Sequence, residues 1–326
     1  MMVRSTTLIA LLIIAVIASS CGGNSASPTT SALNETTPTA AQHNDEPVRV
    51  FVGADGVASE ISDTSRIVTL SGDLTEAVFA LGLGASVVAR DVTTISPPQA
   101  LDLPIVGVGR FLSAEGVLRE NPTLVLGDTQ TSPSEAIDQI RSAGVPVVIF
   151  DVPTSLDALY AKAIAIGEAL GAEDAGRRLA ATMEAAVTEV VLAASPLDPA
   201  PGVAFVYSRG PDVMLLFGAG MTTQPLIEAA GGRDVGTASG VEGTVSVTPE
   251  AIVAAAPDVI VTTTEGLEAL GGIDGLLAIP GFAETPAGQQ RRILDYPEGD
   301  FLTFGPRIAV ILGNFVADLR AALDQS

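Results

Sequence analysis

The sequence predicts an α/β protein in which two β/α lobes with parallel-type sheets are joined by a long helical spine, leaving a ligand cleft between the lobes. Three observations support this fold class. Short apolar strands alternate with helix-forming segments in both halves of the chain. The order of these segments in the first half is repeated in the second half. Between the halves, Leu156 to Ala194 favours helix almost continuously, with one break at Gly171.

The N-terminus has the pattern of a lipoprotein export signal. Arg4 precedes the apolar run Leu8 to Ala18, which is too short to span a bilayer. Small residues then lead into Cys21, the one cysteine of the 326 residues. We expect a signal peptide over residues 1–20, lipid on the sulfur of Cys21, and a disordered tether over residues 21–47. The alternative is an ordinary secreted protein with an incidental cysteine.

The first lobe is expected to cover residues 48–152. It opens with alternating apolar residues on both sides of a Gly/Asp turn, a pattern that predicts a β-hairpin. Ser113 stands where the N-cap of a short helix is expected. The remaining predicted strands cover 66–70, 87–90, 123–126 and 145–150, and the predicted helices cover 74–81, 113–119 and 133–143.

The linking spine is expected over residues 153–198 and the second lobe over residues 199–326. Residues 113–126 align with residues 248–261, because each stretch has a cap residue, a Glu, a short helix, a Pro and a buried strand in the same order. Thr248 is the cap of the second stretch. The predicted strands of this lobe cover 203–207, 214–217 and 259–261, and the predicted helices cover 224–230, 248–255 and 308–323.

Composition excludes several classes of function. The net charge of −22 repels phosphate backbones, so we expect no binding to nucleic acid. The single histidine, His43, lies in the tether, which leaves the folded part without a multi-histidine metal site or a His-dependent hydrolase site. The only lysine, Lys162, is not part of a phosphate-binding P-loop. We therefore predict no enzymatic activity and no cofactor; a secreted hydrolase that uses carboxylates alone is the enzyme alternative.

The residues at strand ends and helix starts that face the cleft are the candidate ligand contacts. Three of them are arginines, which favours an acidic ligand because guanidinium pairs well with carboxylate. The alternative is that each arginine bridges to one of the many neighbouring acidic residues. The candidates are Ser71, Asp73, Arg110, Tyr207, Arg209 and Arg307.

Several motifs resemble one family of transport proteins. These are SGDLTEAVFALGLG and LSAEGVLRENPTLVL in the first half, and LIEAAGG, VTPEAIVAAAPDVIV and FLTFGPR in the second. Over roughly residues 48–325 the chain resembles the helical-spine class of ABC-importer substrate-binding proteins, which bind haem, iron chelates or cobalamin, and it is most similar to the hemin-binding branch. The resemblance implies a lipid-anchored protein that captures haem or a related iron complex. It would act on the outer face of the cytoplasmic membrane or in the periplasm, and deliver the ligand to an ABC permease and its ATPase. Siderophore–iron complexes and cobalamin are the alternative ligands.

The resemblance also implies roles for individual residues. Glu76 and Glu228 match the acidic residues that dock each lobe onto arginines of the permease. Such a pair would give a two-point grip on a two-fold symmetric partner. Arg110 and Arg307 are implied to contact the haem propionates.

The iron ligand that is usual in haem binders is missing. In the family, a Val-Gly pair shortly before the matched arginine is commonly followed by a tyrosine. Here the Val-Gly pair at 106–107 precedes Arg110, and Val108 stands in the place of that tyrosine. Tyr160 has the spacing of a core residue in the spine. Tyr207 ends a strand at the cleft, where it either ligates iron or packs its ring, and Tyr296, in an acidic loop before Pro297, is the other candidate iron ligand. A ligand that is already fully coordinated would need neither.

Overall fold

The computed structural model describes residues 48–107 and 111–324. The predicted signal peptide and tether, with Cys21 and His43, lie outside the described residues, and so does Arg110. Among the described residues, no helix has the length and apolar character needed to cross a membrane.

The first lobe contains a hairpin followed by a parallel sheet. Strands β1 (Arg49–Val52) and β2 (Ala58–Ile61) pair antiparallel, as the alternating pattern predicts. Five later strands form a parallel sheet in the order β5-β4-β3-β6-β7. The elements after the hairpin are β3 (Ile67–Thr69), α1 (Gly72–Ala80), β4 (Val87–Asp91), β5 (Ile105–Gly107), α2 (Ala114–Arg119), β6 (Leu124–Asp128), α3 (Ser134–Ser142) and β7 (Val147–Phe150).

The spine consists of α4 (Leu156–Ala169) and α5 (Glu173–Ala193), which pack against each other. The predicted break at Gly171 is confirmed, since this residue has a φ of 69° that favours glycine. Helix α4 joins both lobes because its two halves enter different cores. Leu159 lies in the core of the second lobe, while Ile166 and Ala169 lie in that of the first. The spine is therefore held by packing on both sides.

The second lobe has more elements than the sequence predicts. Its sheet has the order β11-β9-β8-β12-β13, with β10 paired to β8. The elements are β8 (Gly202–Ser208), β9 (Met214–Phe217), α6 (Thr223–Ala229), β10 (Arg233–Asp234), α7 (Val235–Ala238), β11 (Thr244–Ser246), α8 (Pro249–Ala255), β12 (Val259–Thr263), α9 (Thr264–Ala269), α10 (Gly272–Leu277), α11 (Pro286–Gln289), β13 (Ile293–Tyr296), α12 (Glu298–Leu302) and α13 (Ile308–Asp324).

This second sheet is mixed, so the predicted parallel packing holds for only part of it. Strand β12 is parallel to β8 and β13, but β9 runs antiparallel to both β8 and β11. The cause is the short connection from Ser208 to Met214, in which the Arg209 amide bonds to the Val213 carbonyl. A parallel crossover needs about a dozen residues, so this connection closes a hairpin instead.

The predicted internal match is visible in two short helices, α2 and α8. The Ser113 hydroxyl accepts a hydrogen bond from the Gly116 amide at 3.3 Å, and the Thr248 hydroxyl accepts one from the Ala251 amide at 3.2 Å. Each helix then leads into a buried strand of its sheet, β6 or β12. Both N-caps were expected from the sequence, and both are confirmed.

Candidate functional site

The carboxyl ends of the two sheets meet where the lobes touch. Ile95 follows β4 and packs so closely on Gly299, after β13, that a Cβ added to Gly299 would lie 2.7 Å from Ile95 Cδ1. In the same way, a Cβ on Gly305 would lie 3.0 Å from the Cβ of Asp73. We call this contact the lobe seam. It joins residues 71–76 and 93–95 of the first lobe to residues 299–307 of the second. Small residues allow the two backbones to approach closely there.

An arginine crosses the lobe seam. Arg307 Nε donates to Glu76 Oε1 at 2.8 Å, and Arg307 Nη2 lies 3.0 Å from Asp300 Oδ1. Glu76 is only 5% exposed. Burial raises its pKa to about 7, although the hydrogen bond from Arg307 acts in the opposite direction. The resemblance implies an exposed docking carboxylate at Glu76, but this side chain is buried in the lobe seam. Arg307, expected at the ligand, is engaged by these two carboxylates.

A second buried ion pair ties the lobe seam to the spine. Lys162 Nζ on α4 donates to Asp73 Oδ2 at 2.6 Å, and the Ser71 hydroxyl donates to Asp73 Oδ1 at 2.6 Å. Asp128 lies nearby, and its pKa is raised by burial and then by the negative charge of Asp73. Ser71 and Asp73, which were predicted to contact the ligand, take part in this network. The sequence signal for Lys162 was its isolation as the only lysine in an apolar helix.

Three side chains form a polar group where β8 ends, and we call Tyr207, Arg209 and Glu298 the rim cluster. Arg209 Nε donates to the Tyr207 hydroxyl at 2.5 Å. Arg209 Nη2 donates to both oxygens of Glu298, at 2.9 and 2.7 Å. The Tyr207 hydroxyl donates to Glu298 Oε1 at 3.4 Å. Two of these residues were predicted at the cleft, and the structure brings them together with a third.

The rim cluster is more exposed than the lobe seam. The side chain of Arg209 is 56% exposed and that of Glu298 25%. Burial of the ring raises the pKa of Tyr207, the hydrogen bond from Arg209 acts against this shift, and the charge of Glu298 adds to it. Glu298 is the residue that sequence reasoning missed. It begins α12, a helix with no signal in the local pattern.

The side chains of the other two tyrosines pack into the core of the second lobe. The Tyr296 hydroxyl donates to Asp318 at 2.7 Å, and its ring stacks on Phe301 with centroids 4.8 Å apart. Burial raises the pKa of Tyr296 far above its ordinary value. Tyr296, the other candidate iron ligand, is thus a core residue whose hydroxyl is engaged by Asp318. Tyr160 packs against the core from the spine, as its spacing predicted.

Apolar side chains are exposed at the carboxyl ends of β4 and β5. They are Val92, Ile95 and Phe111, and Phe111 is 81% exposed. Large exposed apolar side chains are available for contact with a ligand or a partner. In the part of the chain that the structure describes, no group of three or more His, Cys, Asp or Glu side chains is arranged to hold a metal ion.

Residues 67–299, which include the spine and most of both lobes, match the family model described as periplasmic binding protein. The chain belongs to this family. Its members are substrate-binding proteins of ABC transporters, so the predicted fold class and transport class are confirmed, as is the extracytoplasmic location. Among the curated proteins, the substrate-binding lipoprotein YvrC of Bacillus subtilis (strain 168) is 28% identical over 250 residues, which cover 76% of this chain and 77% of YvrC.

The similar solved structures include haem-binding proteins. The haem-binding protein RhuT of Roseiflexus sp. RS-1 is 42% identical, with a TM-score of 0.76 over 80% of this chain and 99% of RhuT. The haem-binding protein HmuT is 33% identical, with a TM-score of 0.79 over 89% of this chain and 96% of HmuT. Its matching structures include variants in which a histidine, a tyrosine and an arginine two positions after that tyrosine are each replaced.

A different ligand is named for another relative. The cobalamin-binding protein of Halobacterium salinarum is 30% identical over 212 residues, which cover 62% of this chain and 54% of that protein. The chain thus spans about half the length of this relative.

Proposed function

We propose that this protein captures haem in the cleft between its lobes, with the Tyr207 phenolate bound to the iron, and delivers it to an ABC importer. The observation that carries the proposal is the rim cluster, in which a half-buried phenol at a strand end accepts a hydrogen bond from Arg209. The ionised phenol is the form that binds iron(III), and the hydrogen bond from Arg209 offsets part of the rise that burial gives to the pKa of Tyr207. The protein acts as a carrier and not as an enzyme, and haem is its cargo and not its cofactor.

Two further observations support haem as the ligand. The spacing of Tyr207 and Arg209 equals that of the tyrosine and arginine replaced in the HmuT variants. The exposed apolar side chains Val92 and Phe111 suit the flat apolar face of a porphyrin. Arg209 is exposed enough to reach a haem propionate, whereas Arg307 is held in the lobe seam.

A siderophore–iron complex or cobalamin is the second candidate ligand. The relative named as cobalamin-binding favours it. Such a complex brings its own metal ligands, so its binding would not depend on the phenol of Tyr207.

An absorbance titration of the purified protein with hemin tests the proposal. We expect a shifted Soret band that saturates at one equivalent. The Tyr207→Phe variant should lose the phenolate-to-iron charge-transfer absorption and bind at least about tenfold more weakly, since a metal bond is lost. Tyr160→Phe is the matched control and should behave like the wild type. Absence of a Soret shift at micromolar protein would reject haem and move the search to cobalamin and siderophore–iron complexes.

We also propose that the lobes dock on the permease through Glu115 and Glu250 rather than through Glu76. Both are exposed, and both stand in the first turn of the matched helices α2 and α8. Helices that precede parallel strands begin at the edge where those strands end, so both carboxylates lie at the cleft edge of their lobes. Among the described residues, Glu115 pairs with exposed Arg119, an interaction weak enough to be exchanged. Glu228 is exposed, but its expected counterpart Glu76 is enclosed.

Docking can be measured as stimulation of the importer's ATPase by the loaded protein. The Glu115→Gln/Glu250→Gln double variant should lose most of the stimulation while binding hemin normally. Glu228→Gln is the control and should keep the stimulation. If this variant loses the stimulation and the double variant keeps it, docking uses Glu228, as the resemblance implies. Lipid on Cys21 belongs to the same proposal, because it would keep the carrier at the membrane that holds the importer.

A further inference from the structure

One carboxylate holds the two groups that we assign to the ligand. Both oxygens of Glu298 accept hydrogen bonds from Arg209 Nη2, at 2.9 and 2.7 Å. Glu298 Oε1 also accepts the hydrogen bond of the Tyr207 hydroxyl at 3.4 Å. The carboxylate that satisfies this guanidinium therefore comes from the protein itself.

The two partners differ in how firmly they are held. Glu298 begins α12, whose Phe301 is buried and stacks on Phe205 with centroids 5.6 Å apart. The backbone amide of Glu298 donates to Glu265 Oε2 at 3.1 Å. Arg209 lies just beyond the end of β8, and its side chain is 56% exposed. Arg209 is thus the partner that can turn toward a ligand, while Glu298 stays in place.

We propose that Glu298 sets the affinity of the site, because it occupies on Arg209 the place that a haem propionate takes when the ligand binds. The inference rests on the proposed function. Binding a carboxylate-bearing ligand then exchanges one carboxylate for another on the same guanidinium, and it leaves Glu298 unpaired beside the incoming charge. The net gain from the new ion pair is small, which weakens capture and eases release. A ligand without free carboxylates requires no exchange.

The experiment compares two ligands and three forms of the protein. Hemin carries two free propionates, and hemin dimethyl ester has the same iron and ring with both propionates blocked. The proteins are the wild type, Glu298→Gln and Glu265→Gln. The last variant is the matched control, because it removes a negative charge next to Glu298 without removing a hydrogen bond to Arg209.

We expect Glu298→Gln to bind hemin about fivefold more tightly than the wild type, the factor that corresponds to one partly exposed ion pair. The same variant should gain less affinity for the dimethyl ester than for hemin, because only hemin brings carboxylates to Arg209, and Glu265→Gln should match the wild type with both ligands. Unchanged or weaker hemin binding by Glu298→Gln would overturn the inference, and so would equal tightening for both ligands. If the wild type binds neither ligand, the proposed function itself fails, which is a separate outcome.

Discussion

The lobe seam and the rim cluster each hold an arginine with carboxylates, but they differ in burial. In the lobe seam, Glu76 is 5% exposed and Arg307 31% by side chain. In the rim cluster, the corresponding values are 25% for Glu298 and 56% for Arg209. The two groups are neighbours, since Gly299 of the lobe seam directly follows Glu298. Two arginine–carboxylate ion pairs, one buried and one partly exposed, therefore lie close to each other in the protein.

The difference teaches what each group can do. A buried ion pair is costly to break, because removal of one partner leaves a charge without water or a counter-ion. An exposed pair contributes little to stability and can exchange its partner for a ligand. We therefore assign the lobe seam to holding the two lobes together and the rim cluster to the ligand.

The largest expected effect is at the buried pair of Lys162 and Asp73. Lys162→Met keeps the packing of the side-chain stem but leaves the Asp73 carboxylate, only 12% exposed, without its cation. We expect the free energy of unfolding in urea to fall by about 3 kcal/mol. The double variant Asp73→Asn/Lys162→Met removes both charges and should recover most of the loss. A loss below about 1 kcal/mol in the single variant would show that the pair is not effectively buried.

The next effect is a pH dependence that comes from Glu76. Burial raises its pKa from 4.5 to about 7, so between these values the folded protein holds a proton that the unfolded chain releases. The stability contributed by this group is therefore present at low pH and falls as pH rises from about 4.5 to 7, by up to about 3 kcal/mol.

Urea unfolding of the wild type and of Glu76→Gln at pH 5 and pH 7.5 measures this term. The free energy of the wild type relative to the variant should decrease at the higher pH, because glutamine cannot titrate. A relative stability that stays constant or increases would mean that Arg307 keeps Glu76 ionised throughout.

The smallest effect on stability is expected in the rim cluster. Glu298→Gln removes an ion pair whose arginine is more than half exposed, so the free energy of unfolding should change by less than about 1 kcal/mol. The change should shrink further in 1 M salt, where exposed charges are screened. A loss as large as that of Lys162→Met would remove the distinction between the two groups.

Much of the fold could be predicted because its signals are local. The cap at Ser113, the cap at Thr248 and the break at Gly171 depend on a few adjacent residues. Strand β5 was missed because it has only three residues and two of them are not buried. The antiparallel strand β9 was located correctly, but its direction depends on a connection too short for a crossover.

The site could be predicted only in part. Tyr207 and Arg209 were found because both lie at the end of one strand. Their partner Glu298 lies about 90 residues away along the chain, and Arg307 reaches Glu76 across a separation of 231 residues. Such contacts depend on how the lobes pack together, and this packing cannot be predicted from composition or periodicity.

The most direct test of the account is a crystal structure of the hemin-loaded protein. The account predicts haem between the lobes with the Tyr207 oxygen bound to iron, Arg209 turned from Glu298 to a propionate, and the bond between Glu76 and Arg307 intact. Haem bound elsewhere, or iron in the cleft without Tyr207 as its ligand, would contradict it.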